Sequence, residues 1–124
     1  MALPAPLLSA PKPLTFEEYL RLSELKRRYD IVNGELIMSP VPLPDHQWLV
    51  FQIARLLDDF VRRERLGVIL VAPMDVLIRK RPRLQTRQPD VLFLSAVRTG
   101  VRGRRELRKM RLIEIAPDLV IEIL

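Results

Sequence analysis

The chain lacks cysteine entirely and has a single histidine, a single tryptophan and only four glycines among its 124 residues. Without cysteine there are no disulfides, thiolate metal sites or cysteine nucleophiles. No glycine-rich phosphate loop, serine-nucleophile elbow or zinc-binding pattern is present either. No run of eighteen apolar residues occurs, so a membrane-spanning helix is excluded and no membrane partner is expected. The first ten residues carry no basic segment and are broken by prolines, which does not fit a secretory signal, and a cytoplasmic protein is expected.

What the chain does contain is 48% hydrophobic and 29% charged residues, enough for one globular domain with a real core. Its formal charge is +6, and the excess is local. Twelve Lys and Arg stand against two acids between Arg79 and Arg111, whereas the remainder has nine basic and thirteen acidic residues. Such a concentration, including Arg79, Lys80, Arg81, Arg83, Arg87, Arg104 and Arg105, is the footprint of a polyanion partner or of an arginine-rich solvated surface.

Residues 1–13 form a proline-rich arm, and residues 14–124 read as the folded domain. Thr15-Phe16-Glu17-Glu18 matches a capping box and predicts a short helix running to about Lys26, with Phe16, Tyr19 and Leu20 as its apolar face. Asn33-Gly34 between Tyr29–Val32 and Glu35–Met38 predicts a tight β-hairpin, because both turn positions need positive φ. After the proline-rich stretch from Ser39 to Pro44, Asp45 is an N-cap candidate for a long helix ending near Gly67. Leu49, Ile53, Leu56 and Phe60 recur along it at helical spacing, with Val50, Ala54, Leu57 and Val61 widening the stripe, and predict a core-facing side. Val68 to Ala72 and Met74 to Ile78 predict one strand kinked at Pro73 or two strands joined there. Arg79 to Gln88 reads as a basic loop. Pro89-Asp90-Val91-Leu92-Phe93-Leu94 and Pro117-Asp118-Leu119-Val120-Ile121-Glu122-Ile123-Leu124 predict buried strands, separated by a weakly helical stretch that Gly100 and Gly103 interrupt.

Acids gather at the predicted strand ends: Asp30, Glu35, Asp75, Asp90 and Glu122. A carboxylate beside an apolar run is costly unless it is paired, protonated or bound to a metal. Hard divalent cations take oxygen ligands and often need only one or two carboxylates. Asp90 and Glu122 on adjacent strands therefore suit Mg²⁺ or Mn²⁺, although strand-end acids bonded to loop amides fit the same spacing. His46, in the first turn of the long helix, reads as a capping or packing histidine, with a catalytic role the sharper alternative.

The ordered set Leu14-Thr15-Phe16-Glu17-Glu18-Tyr19, Tyr29-Asp30-Ile31-Val32-Asn33-Gly34-Glu35-Leu36, His46, Ala72-Pro73-Met74-Asp75-Val76, Gln88-Pro89-Asp90-Val91-Leu92-Phe93 and Ala116-Pro117-Asp118-Leu119-Val120-Ile121-Glu122-Ile123-Leu124 resembles the Uma-type family of endonucleases, in the PD-(D/E)XK superfamily. The resemblance implies a restriction-endonuclease-like α/β fold with a mixed sheet and a long core helix. It also implies a Mg²⁺-dependent nuclease acting on DNA, with Asp90 and Glu122 as metal ligands and Asp30, Glu35 and His46 as supporting residues. One departure stands out: where the simple Glu-x-Lys form has its lysine, this chain has Leu124. In the Uma-type family that lysine follows a Ser-Pro-Ser stretch absent here, which leads to the expectation of a C-terminally shortened domain whose final strand promotes homo-oligomer formation. The second reading is a non-catalytic nucleic-acid-binding or oligomerisation module of the same fold.

Overall fold

A computed structural model describes residues 13–21, 29–38 and 40–124. Nearly all of the proline-rich arm, and residues 22–28 with the end of the predicted first helix, lie outside the described residues.

The described part of the first helix, α1, is Phe16–Arg21. Its capping box forms as expected: the Glu18 amide donates to Thr15 Oγ1 at 3.1 Å, and the Thr15 amide donates back to Glu18 Oε1 at 3.4 Å. The hairpin follows as β1, Tyr29–Val32, and β2, Glu35–Met38, paired antiparallel through Asn33 at φ 50° and Gly34 at φ 82°. Gly34 is doubly required, since a Cβ there would lie 2.3 Å from Pro13 Cβ. That close approach lets the Leu14 amide donate to Gly34 O at 2.6 Å.

The long helix, α2, is Pro44–Arg63. Asp45 is not its cap. Leu43 holds the cap position and Pro44 starts the first turn, where a fixed φ and a missing N–H cost nothing. Within the predicted stripe Val61 is the buried residue, while Leu56 and Phe60 are 61% and 49% exposed. The helix lies against β3, Gly67–Val71, and β6, Val91–Ser95, in a sheet only three strands wide.

The apolar run around Pro73 divides, with β3 in one sheet and β4, Val76–Arg79, in the other. The expected basic loop contains a further strand, β5, Gln85–Arg87. Leu84, Thr86 and Gln88 alternate inward and are all buried, with Gln85 and Arg87 between them. The strand orders are β2-β1-β5-β4 and β3-β6-β7, where β7 is Leu119–Ile121. Within these strands every ladder is antiparallel, and parallel pairing is confined to the Val76–Ile113 bridge. Neighbouring residues at that bridge serve different cores: Leu112 packs with Tyr19, Tyr29, Ile31 and Leu84, and Ile113 with Val76, Leu92, Leu94 and Val101.

The stretch from Ser95 to Leu112 holds two single turns, α3, Ala96–Thr99, and α4, Arg104–Leu107, parted by Gly100 in the left-handed region. Strand β6 is central as expected, with Val91, Leu92 and Leu94 at most 1% exposed. The last strand is not buried. Among the described residues β7 is an edge strand, paired with β6 alone, with Leu119 and Val120 nearly half exposed. Asp118 anchors it, accepting from the Ser95 amide at 2.6 Å and from Arg98 Nε at 2.8 Å.

Two outcomes follow from these contacts. The Thr86 hydroxyl is fully buried with no hydrogen-bond partner among the described residues, so Thr86→Val is expected to raise stability by about 1 kcal/mol, read as a higher urea midpoint. The Arg98 hydrogen bond and the Ser95 amide hold the Asp118 carboxyl well below its usual range. A lowered folded-state pKa stabilises the fold above the unfolded value near ~4 and is lost as pH falls below it. Asp118→Asn should therefore be less stable than wild type at pH 6, with the gap closing towards pH 2 in urea titrations.

Candidate functional site

Besides the passage from β2 to β3 through α2, the chain crosses directly between the two sheets at two short segments. One crossing is residues 72–75, from β3 to β4, and the other is residues 88–90, from β5 to β6. Asp90 sits at the end of the second crossing and is 2% exposed. An ionised carboxylate there needs local compensation. Its Oδ2 accepts from the Ile123 amide at 2.7 Å, and its Oδ1 lies 3.2 Å from His46 Nε2. Its backbone carbonyl accepts from the Ala72 amide at 3.1 Å, which ties the two crossings together.

His46 reaches Asp90 because α2 starts at Pro44, which turns the histidine towards the sheet rather than outwards. Glu122 arrives by register. Val91 pairs with Ile121, so Glu122 occupies the next cross-strand position opposite Asp90. Side chains at such positions share one face of the sheet. Glu122 is exposed, so the cost of burial that motivated both acids applies to Asp90 alone.

The supporting acids part company. Asp30 on β1 accepts from the Gln88 amide at 2.9 Å and joins the site through that residue. Glu35 opens β2, the outer strand of the other sheet, and is exposed.

Asp75, one of the acids read at the predicted strand ends, is the centre of a cluster alongside, bonded to side chains rather than to loop amides. Asp75 Oδ2 accepts from the Tyr19 hydroxyl and, at 3.1 Å, from the Tyr29 hydroxyl, and its Oδ1 accepts from Gln88 Nε2 at 2.7 Å. Gln88 Oε1 accepts in turn from the Tyr29 amide at 3.1 Å. Burial and the adjacent Asp75 carboxylate push both tyrosines far above their ordinary value. The available signal was Gln88 itself, an amide side chain one residue before Pro89.

The basic residues do not converge on Asp90. Arg79 donates to Asn33 Oδ1 at 2.6 Å, Arg81 pairs with Glu17 at 3.0 Å, and Lys80 lies 3.4 Å from Glu114 and over the Phe16 ring. Arg83 sits in the same β4–β5 turn. Arg87 donates to the Ile31 carbonyl at 3.3 Å, and Arg104 and Arg105 lie on α4, past the end of β6 remote from Asp90. Of the lysines, Lys12 and Lys26 lie outside the described residues, and Lys109 follows α4.

The donor set, two carboxylates with an imidazole against one of them, fits a hard divalent cation such as Mg²⁺ or Mn²⁺, which keeps much of its water shell. Among the described residues no group of three or more acids and histidines has metal-site geometry, so water and substrate oxygens would complete the shell.

The architecture is that of a restriction-endonuclease-like α/β domain. It is similar to the crystal structure of a protein from Anabaena variabilis ATCC 29413 described as a putative nuclease belonging to DUF820, with a TM-score of 0.71 and 21% identity. The match covers 90% of this chain and 59% of that one, and at that identity it speaks to the fold. A family profile, Uma2, described as "Putative restriction endonuclease", matches residues 16–124, and the chain belongs to that family. No curated protein matches it.

The tyrosine cluster has a direct readout, because Tyr19 and Tyr29 are the chain's two tyrosines. A raised folded-state pKa costs stability as pH climbs past the unfolded value near ~10. At pH 11 the folded protein should show no phenolate absorbance at 295 nm, with phenolate appearing only on alkaline unfolding.

Proposed function

We propose that the protein is a Mg²⁺- or Mn²⁺-dependent endonuclease of the cytoplasm that hydrolyses DNA phosphodiester bonds. The observation that carries this reading is the buried Asp90 carboxylate, met by His46 and by the Ile123 amide, with Glu122 at the neighbouring cross-strand position. Asp90 and Glu122 would hold the ion. A bound cation supplies Lewis acidity, activating water and screening charge at the scissile phosphate.

The chain's own groups set the stage for the attack of water on phosphorus, which breaks one P–O ester bond to leave an alcohol and a phosphate monoester. The Ile123 amide and His46 fix both oxygens of Asp90, so the carboxylate is preorganised before substrate arrives. The basic residues then act at a distance. Arg79, Lys80, Arg81, Arg83, Arg87, Arg104 and Arg105 are spread over the β4–β5 hairpin and α4, so they would meet the phosphate backbone over an extended surface, with little base readout. The exposed Leu119 and Val120 on edge strand β7 support self-association as a homo-oligomer.

One observation favours the non-catalytic reading, a nucleic-acid-binding module of the same fold. Leu124 stands where the simple Glu-x-Lys form has its lysine, and Lys80 is engaged with Glu114 and Phe16.

Plasmid incubation with Mg²⁺ or Mn²⁺ separates the two. The endonuclease predicts metal-dependent nicking that falls at least about a hundredfold in Asp90→Asn, since even outer-shell changes at metal sites typically cost 10–100-fold. Equal nicking by both proteins, or none by either, would overturn it. The binding module predicts metal-independent DNA affinity that drops steeply between 50 and 200 mM salt, with the log–log slope reduced by about 1 for each phosphate-contacting arginine removed.

A further inference from the structure

We propose that Gln88 is a positioning residue that sets the place of Asp90 through a strut to Asp75, an inference that rests on the metal-site reading above. The ladder between β1 and β5 sets the geometry. Ile31 pairs with Thr86, so the same antiparallel register brings Tyr29 opposite Gln88. At that position the main-chain ladder stops, because the chain is leaving one sheet for the other and the next residue, Pro89, has no N–H to donate.

Side chains take over the missing bonds. The Tyr29 amide donates to Gln88 Oε1 at 3.1 Å, and the Gln88 amide donates to Asp30 Oδ1 at 2.9 Å. The other end of the carboxamide donates through Nε2 to Asp75 Oδ1 at 2.7 Å. Asp75 belongs to the first crossing between the sheets and is held on its far oxygen by the Tyr19 and Tyr29 hydroxyls.

One side chain, on a residue only 8% exposed, thus binds strand β1 and both crossings at once. Two residues further on, Asp90 is anchored from the other direction by the Ala72 amide, at the start of that same first crossing. The segment 88–90 is clamped at both ends. Its clamps end on Asp30, Asp75 and Ala72 rather than on Glu122 or His46, so Gln88 acts on the metal pair only through the position of Asp90.

The polarity of the strut gives it a distinctive test. Gln88→Ala removes both side-chain bonds. Gln88→Glu keeps the acceptor for the Tyr29 amide but sets a carboxylate against Asp75. The paired exchange Gln88→Glu with Asp75→Asn restores every bond, with donor and acceptor reversed only in the one between positions 88 and 75. The carboxamide placed at position 75 then donates its N–H to the new carboxylate, while its oxygen accepts from the tyrosines.

Mn²⁺ binding to the full chain is measured by calorimetry, with cooperative thermal unfolding as the check on folding. Ile31→Val, a core truncation in the same strand, serves as the stability control. The expected result is about a tenfold loss of Mn²⁺ affinity in Gln88→Ala, a larger loss in Gln88→Glu, recovery in the paired exchange, and wild-type affinity in Ile31→Val.

Wild-type affinity in Gln88→Ala, or equal losses in Gln88→Ala and Ile31→Val, would overturn the proposal. If Gln88→Ala does not fold, the paired exchange decides: near wild-type affinity supports the strut, and affinity as poor as that of Gln88→Glu sinks it. If the wild type binds no Mn²⁺, the metal-site reading fails and the strut is decided by a readout that needs no metal. His46 is the chain's sole histidine and touches Asp90, so its ring resonances at fixed pH should move in Gln88→Ala towards those of Asp90→Asn. Unmoved resonances would reject the positioning role.

Discussion

The constraint on which the structure turns is the double crossing of the chain between two narrow sheets. Neither sheet closes on itself, and each crossing breaks a main-chain ladder at a proline, Pro73 or Pro89. A broken ladder inside a folded domain leaves amides and carbonyls that must be satisfied by something else. Here side chains complete the pattern: Gln88, Asp30, Asp75 and the two tyrosines at the seam, with the Ala72 amide bonding the Asp90 carbonyl across it. The polar character of the seam is thus a consequence of topology before it is anything to do with chemistry.

That same constraint places a buried carboxylate at the seam. Asp90 is withdrawn from water at the end of a central strand, where electrostatic interactions are strong and an unmatched charge is expensive. Its compensation comes from groups brought by different elements: an imidazole from α2 and an amide from the segment after β7. Glu122, across the ladder, stays exposed, so the pair combines one preorganised acid with one in reach of solvent. The positive charge is arranged otherwise. Arg79 bonds Asn33 in the hairpin turn, Lys80 meets Glu114 and the Phe16 ring, and Arg81 pairs with Glu17 of α1, which fixes part of the basic surface without bringing it onto the acids.

Much of the local structure was legible because its causes are local. The capping box at Thr15 and Glu18, the Asn33-Gly34 turn and the run from Val91 to Leu94 each depend on a few adjacent residues, and each forms as read. The misreadings share a different cause. β5 was hidden because its alternation is carried by Leu84, Thr86 and Gln88, two of them polar, among arginines that dominate the composition. Leu56 and Phe60 on α2 were read as core-facing because periodicity identifies an apolar arc but not which part of it the neighbouring sheet covers. β7 looked central because its composition is that of a buried strand, whereas its one-sided pairing makes it an edge.

The sequence by itself determined the capping box, the hairpin turn, the long helix, the strand after Pro89 and the family. It did so because turn chemistry, capping and hydrophobic pattern act over spans of a few residues. Only the tertiary structure decided that His46 meets Asp90 and that Glu35 does not, since those contacts join residues 44 positions apart or leave them on different sheets. It alone also revealed Gln88 and Asp75 as partners, because a hydrogen bond across two sheet crossings has no signature in the spacing of the chain.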